Sequence, residues 1–188
     1  MERFLLPTTD YPPKRGGVAR YLSALVTTFP QNIEPLIWKQ FPSYKTMFLD
    51  FWSRRNTFDV LLTSHVLPVG VIALLFKCCT GKPYEVILHG MDFDLARTTS
   101  KKRLVLFFIL FFARRVFANS HSLATEVSNF AHRSCIVLYP CVSDEFVEVA
   151  DVIGGNKGVR SWGVAFRLLT VSRPVSYTHL TLPTIYSV

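Results

Sequence analysis

Residues 10–22, Asp-Tyr-Pro-Pro-Lys-Arg-Gly-Gly-Val-Ala-Arg-Tyr-Leu, carry the chain's clearest chemical signal. They follow the apolar run Phe4-Leu5-Leu6, which reads as a first β-strand. They lead into Val18, Tyr21, Leu22 and Leu25, whose spacing puts them on one helical face. A strand, a proline-bounded turn, two glycines and a helix present bare backbone N–H groups to an anion. Gly16 and Gly17 tolerate φ > 0 and close approach, and the helix dipole favours negative charge at that end. A plain β–α turn that needs glycine reads the same residues equally well. Other polar groups end other apolar runs: Ser64-His65, His89-Gly90-Met91-Asp92 and Asn119-Ser120.

The elements that must position these groups alternate in type. After the first helix, 33–38 reads as a second strand and 48–54 as a helix. The compact run 58–63 reads as a buried strand. A helix follows through Phe76 and is closed by Thr80-Gly81-Lys82-Pro83. Residues 84–88 form the next strand, 101–114 a helix, 115–118 a short strand, and 136–139 the last strand before Pro140. Ser120 or Ser122 caps the helix between those last two strands. Strands alternating with helices predict an α/β, Rossmann-like, doubly wound and mostly parallel sheet. Ligands of such sheets bind outside the carboxyl ends of the strands. Asp10 with the glycines, Ser64-His65, His89 to Asp92, and Asn119-Ser120 all fall at such ends and together describe a cleft.

Composition narrows the class of partner. The 188 residues suit one domain, or one domain and the start of another. With 49% hydrophobic and 18% charged residues the chain buries a sizeable core. A net charge of +8 favours anionic partners: phosphate-bearing small molecules or acidic lipid. Nucleic acid is not expected, because Lys and Arg fall in short clusters with no long basic tract. The four cysteines form no framework: Cys78 and Cys79 are vicinal in an apolar run, and no CxxC pair exists. His132 with Cys135 is too little for a zinc site, so no metal is expected and buried reduced thiols are. The amino terminus, with Glu2 and early prolines, does not read as a signal peptide. The apolar runs 66–76 and 104–113 fall short of the ~20 residues a spanning helix needs.

Past residue 143 the character changes. Residues 144–165, with Gly154-Gly155-Asn156-Lys157-Gly158, read as a linker. Residues 166–173 read as the first strand of a second domain that is barely present, ending at Ser172-Arg173. The tail 174–188 resembles an ending found on unrelated metagenomic gene models, the look of translated sequencing adapter, although it also reads as a Thr-rich strand and turn.

The order "YPPKRGGVARYL", "FDVLLTSH", "ILHGMD", "RRVFANSHSLATEV", "VLYPCV" and "LLTVSR" resembles the amino-terminal half of glycosyltransferases of the GT-B fold. The nearest group is family 4, retaining enzymes that include lipopolysaccharide and exopolysaccharide transferases. The resemblance implies an acceptor-side Rossmann-like domain over residues 1–143, facing a donor domain across a cleft. It implies transfer of a sugar from a nucleotide-sugar donor, as substrate and without a cofactor, to a saccharide or lipid-linked acceptor, in the cytoplasm or at the inner membrane's surface. It places Gly16, Gly17 and Arg173 beside the donor diphosphate and His89 on the transferring sugar. His65 falls near the acceptor, and Asp92, Asn119 and Ser120 are expected to hold acceptor or sugar hydroxyls. The family usually has glycine where Ser172 stands, and most of its donor domain has no counterpart here. The 188-residue chain is therefore expected to be inactive alone.

Two other functions compete: the nucleotide-binding domain of an oxidoreductase, and a non-enzymatic membrane-surface module. Against the first, no GxGxxG opens the first helix. His89 could merely end a strand, His65 could belong to a simple turn, and Asp94 reads equally as a helix-entry residue. The run from Lys101 to Arg115 has two readings. One is the buried helix of a doubly wound sheet, which Phe107, Phe108, Phe111 and Phe112 favour. The other is a peripheral contact with anionic membrane.

Overall fold

The computed structural model describes residues 2–139. Arg173, the linker at 144–165, the strand at 166–173 and the tail lie outside the described residues. Six strands form one all-parallel sheet: β1 (Phe4–Thr8), β2 (Ile33–Ile37), β3 (Val60–Thr63), β4 (Tyr84–Leu88), β5 (Val116–Ala118) and β6 (Ile136–Val137). Their order is β2-β1-β3-β4-β5-β6. Parallel neighbours need crossovers, supplied by α1 (Gly17–Thr28), α2 (Tyr44–Ser53), α3 (Val71–Thr80), α4 (Met91–Arg97), α5 (Ser100–Phe112) and α6 (His121–Ala131). The fold is α/β, Rossmann-like and doubly wound. The chain leaves β1 toward β2 on one side and β3 on the other, so the topological switch point lies between β1 and β3.

The two-residue period of each strand sorts its side chains between two cores. Leu5, Leu61, Val86, Leu88, Val116 and Ala118 face one core with Phe51, Phe76, Ile109, Leu110 and Val127 from the helices and Phe58 from the loop before β3. Leu6, Leu62 and Ile87 face the other, where Tyr21 and Leu22 of α1 meet them. Among the described residues α1 is the helix on that second face, so the two layers are unequal.

Local chemistry sets the element ends. The Ser43 hydroxyl accepts from the Thr46 N–H at 3.2 Å and caps α2, and Ser120 caps α6 through the Leu123 N–H at 3.3 Å. Gly81, at φ 75°, closes α3 with its N–H on the Lys77 carbonyl at 2.8 Å. Before α3, a π-helical turn (Val66–Gly70) brings Gly70 so close to α5 that an added Cβ would meet Ile109 Cγ2 at 3.0 Å.

At the opposite end of the sheet from the strand termini that matter for binding, Glu85 is buried in β4. Arg114 Nε donates to its Oε1 at 2.8 Å, and Arg115 Nε lies 3.3 Å from the same oxygen. Arg114 also grips both oxygens of Glu2 at 2.7 Å. These bonds to Glu2 and Glu85 raise the Arg114 pKa further.

Two sequence expectations give way here. Cys78 and Cys79 are exposed rather than buried, because they sit in the last turn of α3, past Phe76, the last residue that helix buries. The helix at 100–112 does not lie wholly in the interior either: Leu106, Ile109 and Leu110 are buried, while Phe108, Phe111 and Phe112 face water. One face of a helix can meet the sheet, and no described element covers the other.

Candidate binding site at the carboxyl ends of the strands

The site begins with β1. Thr8, fully buried, accepts the Asp10 N–H on its hydroxyl at 2.9 Å and so sets the turn that presents the Asp10 carboxylate. That carboxylate takes an ion pair from Lys14 and the His65 Nε2 at 3.0 Å. A carboxylate only accepts, so Nε2 carries the proton, and in the neutral imidazole Nδ1 then accepts the Ser64 hydroxyl at 3.0 Å. Burial pushes the Asp10 pKa up, but the bonds from Lys14 and His65 outweigh it, and the net shift is downward. Phe41 closes on His65 edge to face at 5.0 Å. The ends of β1 and β3 are thus tied across the switch point.

Next to them β4 ends in His89. Gly90, at φ 99°, turns the chain straight into α4 in a conformation side chains rarely adopt. The turn brings Asp92 back so that its Oδ1 accepts the His89 N–H at 3.1 Å. From β5, the Asn119 amide donates to the His89 carbonyl at 3.3 Å. Tyr21 of α1 packs edge to face on the imidazole at 5.3 Å. Burial first, and repulsion from His65 second, lower the His89 pKa to about 4, with Asp10 opposing. The ring is therefore neutral in ordinary conditions. Burial raises the Asp92 pKa against the opposing N–H groups of His89 and Phe93.

His89 and Asp92 line one cavity of 390 Å³, together with Asp10, Ser64, His65, Lys102 and apolar Val18, Leu67, Met91, Leu95 and Ala96. Two of their atoms, His89 Nε2 and Asp92 Oδ2, are buried without a hydrogen-bond partner. Buried polar groups are ordinarily paired, so two unpaired atoms on residues of one cavity wall make this the candidate place for a ligand's polar groups. Val18 brings the start of α1 to the cavity's edge. Gly16, at its N-cap, has no side chain to cap it, and no acidic residue stands in its first turn, so among the described residues no N-cap side chain or first-turn carboxylate occupies that end. Gly16 is extended at φ 166°, a conformation any residue adopts, and a Cβ at Gly16 or Gly17 would meet nothing within 4 Å. The φ > 0 that the two glycines tolerate is thus not used here, and what they leave is open space at the helix end.

Of the sequence candidates, the structure gathers Asp10, His65, His89 and Asp92 around one cavity, while Gly16 and Gly17 do not line it and only precede Val18, which does. Asn119 stands behind the cavity, holding the His89 carbonyl, and the Ser120 hydroxyl caps α6. Asp94 pairs with Arg97 at 2.7 Å, as a helix-entry residue would. Sequence reasoning passed over Lys14, Lys102 and Tyr21. No local signal marked the first, because Asp10 and Lys14 pair across a non-helical turn where i,i+4 spacing carries no rule. Among the described residues, no group of three or more His, Cys, Asp or Glu is placed to hold a metal ion.

Fold and site define a Rossmann-like domain with a polar-ended, apolar-walled cavity at its switch point. No family model and no curated protein matches the sequence. Among solved structures, the chain is similar to Alr3699/HepE of Anabaena, determined in complex with UDP and glucose. Identity is 13%, the TM-score is 0.49, and the likeness covers 82% of this chain and 50% of that one. The chain thus spans about half the length of that protein.

Proposed function

We propose that residues 2–139 form the acceptor-side domain of a retaining glycosyltransferase of the GT-B, family 4 kind. Such an enzyme moves a sugar from a nucleotide-sugar donor to a saccharide or lipid-linked acceptor in the cytoplasm, and it needs no resident cofactor. The observation that carries this reading is that two residues lining one cavity at the switch point, His89 and Asp92, each hold a buried polar atom, Nε2 and Oδ2, with no hydrogen-bond partner among the described residues. Hydroxyl groups both donate and accept, so a sugar satisfies a neutral imidazole and a carboxyl group at once. The uncapped start of α1 beside Gly16 and Gly17 suits the donor's phosphates. The Asp10–His65–Ser64 chain holds the second imidazole on the acceptor side. Arg173 would complete the diphosphate clamp. Leaving-group charge in this chemistry is met by fixed donors and cations, which is how such sites lower a barrier.

A dinucleotide-binding domain is disfavoured. After β2 ends at Ile37 the chain continues Trp38-Lys39-Gln40, with no carboxylate for a ribose hydroxyl. Saturation-transfer NMR on the 188-residue chain with UDP-glucose, GDP-mannose and NADH tests the reading. Saturation of sugar-ring protons is expected from a nucleotide sugar, weakened about tenfold in affinity by His89→Ala, on the order of one hydrogen bond. Saturation from NADH alone would overturn it.

A further inference from the structure

We propose that the sugar this cavity takes carries an anionic substituent, a carboxylate or a phosphate, and that Lys102 receives it. The inference rests on the sugar-transfer reading and adds to it the class of sugar. Lys101, Lys102 and Arg103 open α5, and the structure sends these cations three ways. Lys101 is exposed and does not line the cavity. The Arg103 guanidinium lies over the Phe130 ring, 5.7 Å from its centre. Lys102 lines the cavity together with His89, Asp92 and the apolar Met91, Leu95 and Ala96 of α4.

No carboxylate among the described residues neutralises Lys102. Asp10 is held by Lys14 and by the His65 Nε2. Asp94 and Glu126 both pair with Arg97. Asp92 accepts the His89 N–H on Oδ1, and its Oδ2 has no partner, so the Lys102 ammonium is not bonded there. The cavity wall thus holds a cation without a counter-charge, besides the two unpaired atoms of His89 and Asp92. A neutral hexose meets those two atoms through its hydroxyls and leaves the ammonium unanswered. A sugar acid or sugar phosphate meets all three, hydroxyls on Nε2 and Oδ2 and the anionic group on the ammonium. Lysine suits either anion, since a compact charge on a flexible stem has no planar fork that matches one of them better. Lys102 is exposed, so water shares the contact and its worth is modest.

Ligand-observed NMR titrations of the 188-residue chain with methyl glucoside, methyl glucuronide and glucose 6-phosphate test the proposal. At least one charged sugar should bind about threefold to fivefold more tightly than methyl glucoside, the size expected of an exposed ion pair. That margin should shrink as salt is added. Which charged sugar leads tells carboxylate from phosphate. Lys102→Gln should remove the margin, and Lys102→Arg, which keeps the charge, should preserve it. Lys101→Gln takes the same charge from a residue outside the cavity and should leave the margin intact. Equal affinity for all three sugars would overturn the proposal. So would a margin that falls as far in Lys101→Gln as in Lys102→Gln, because net charge and not the cavity cation would then be at work. Methyl glucoside that binds without any margin sinks this inference alone. Absence of binding by all three sugars sinks it too, and the sugar-transfer reading then stands or falls on UDP-glucose.

Discussion

His89 makes the folded state sensitive to acid in a way that can be worked out in sign and size. Its pKa falls from an ordinary 6.5 to about 4, because burial beside Tyr21 and near His65 penalises the charged ring. The unfolded chain therefore takes up this proton at higher pH than the folded one. The stability lost is nil above 6.5, grows as pH falls from 6.5 to about 4, and stays constant below. The difference in pKa corresponds to about 3 kcal/mol at the acid end. Two neighbours act in the same range. Asp92, whose carboxyl is raised, contributes the opposite slope above 3.8, and Asp10, whose carboxyl is lowered, loses its contribution as pH falls below 3.8. Comparing the parent with His89→Asn isolates the imidazole. Urea unfolding of both across the range from 6.5 to 4 should show the parent losing about 3 kcal/mol relative to the variant. Parallel curves, or a parent that gains stability on acidification relative to the variant, would refute the buried neutral imidazole.

Three further outcomes are expected. Gly90→Ala forces a side chain into φ 99° and should cost about 1–3 kcal/mol in thermal unfolding, with loss of the Asp92 contact to the His89 N–H. Arg114→Met strands the buried Glu85 and should cost about 3 kcal/mol, the low end for a broken buried pair because Arg115 stays near; adding Glu85→Gln should restore most of it in chemical denaturation. Gly70→Val drives a branched side chain into Ile109 and should cost about 1–3 kcal/mol, with partial recovery on Ile109→Ala.

Much of the layout was legible because parallel strands buried on both faces read as compact apolar runs with polar ends. The run at 84–88 ending in His89 is such a case, and the structure sets that end beside those of β1 and β3. The helix α4 was not, since Met91–Arg97 is short and buries only Phe93 and Ala96, too few to show a period. Nor was the Asp10–His65 bond, which joins residues 55 apart through strand adjacency that no local pattern encodes. The glycines show a related limit. The strand–turn–helix pattern pointed to Gly16 and Gly17, but the positive φ next to the cavity residue His89 belongs to Gly90, where β4 must turn at once into α4. The phenylalanines of α5 misled for another reason. A helix apolar all round reads as buried, and sequence alone does not reveal that its neighbours cover one face.

The central claim is that a sugar completes the two unpartnered atoms at the switch point. Long-range ¹H–¹⁵N imidazole spectra of the 188-residue chain, titrated with UDP-glucose and GDP-mannose, test it at the atom concerned. The account predicts a saturable shift of the His89 Nε2 resonance with at least one of the two, lost in Asp92→Ala. A His89 Nε2 resonance that stays fixed with both sugars, or moves equally in Asp92→Ala, would contradict it.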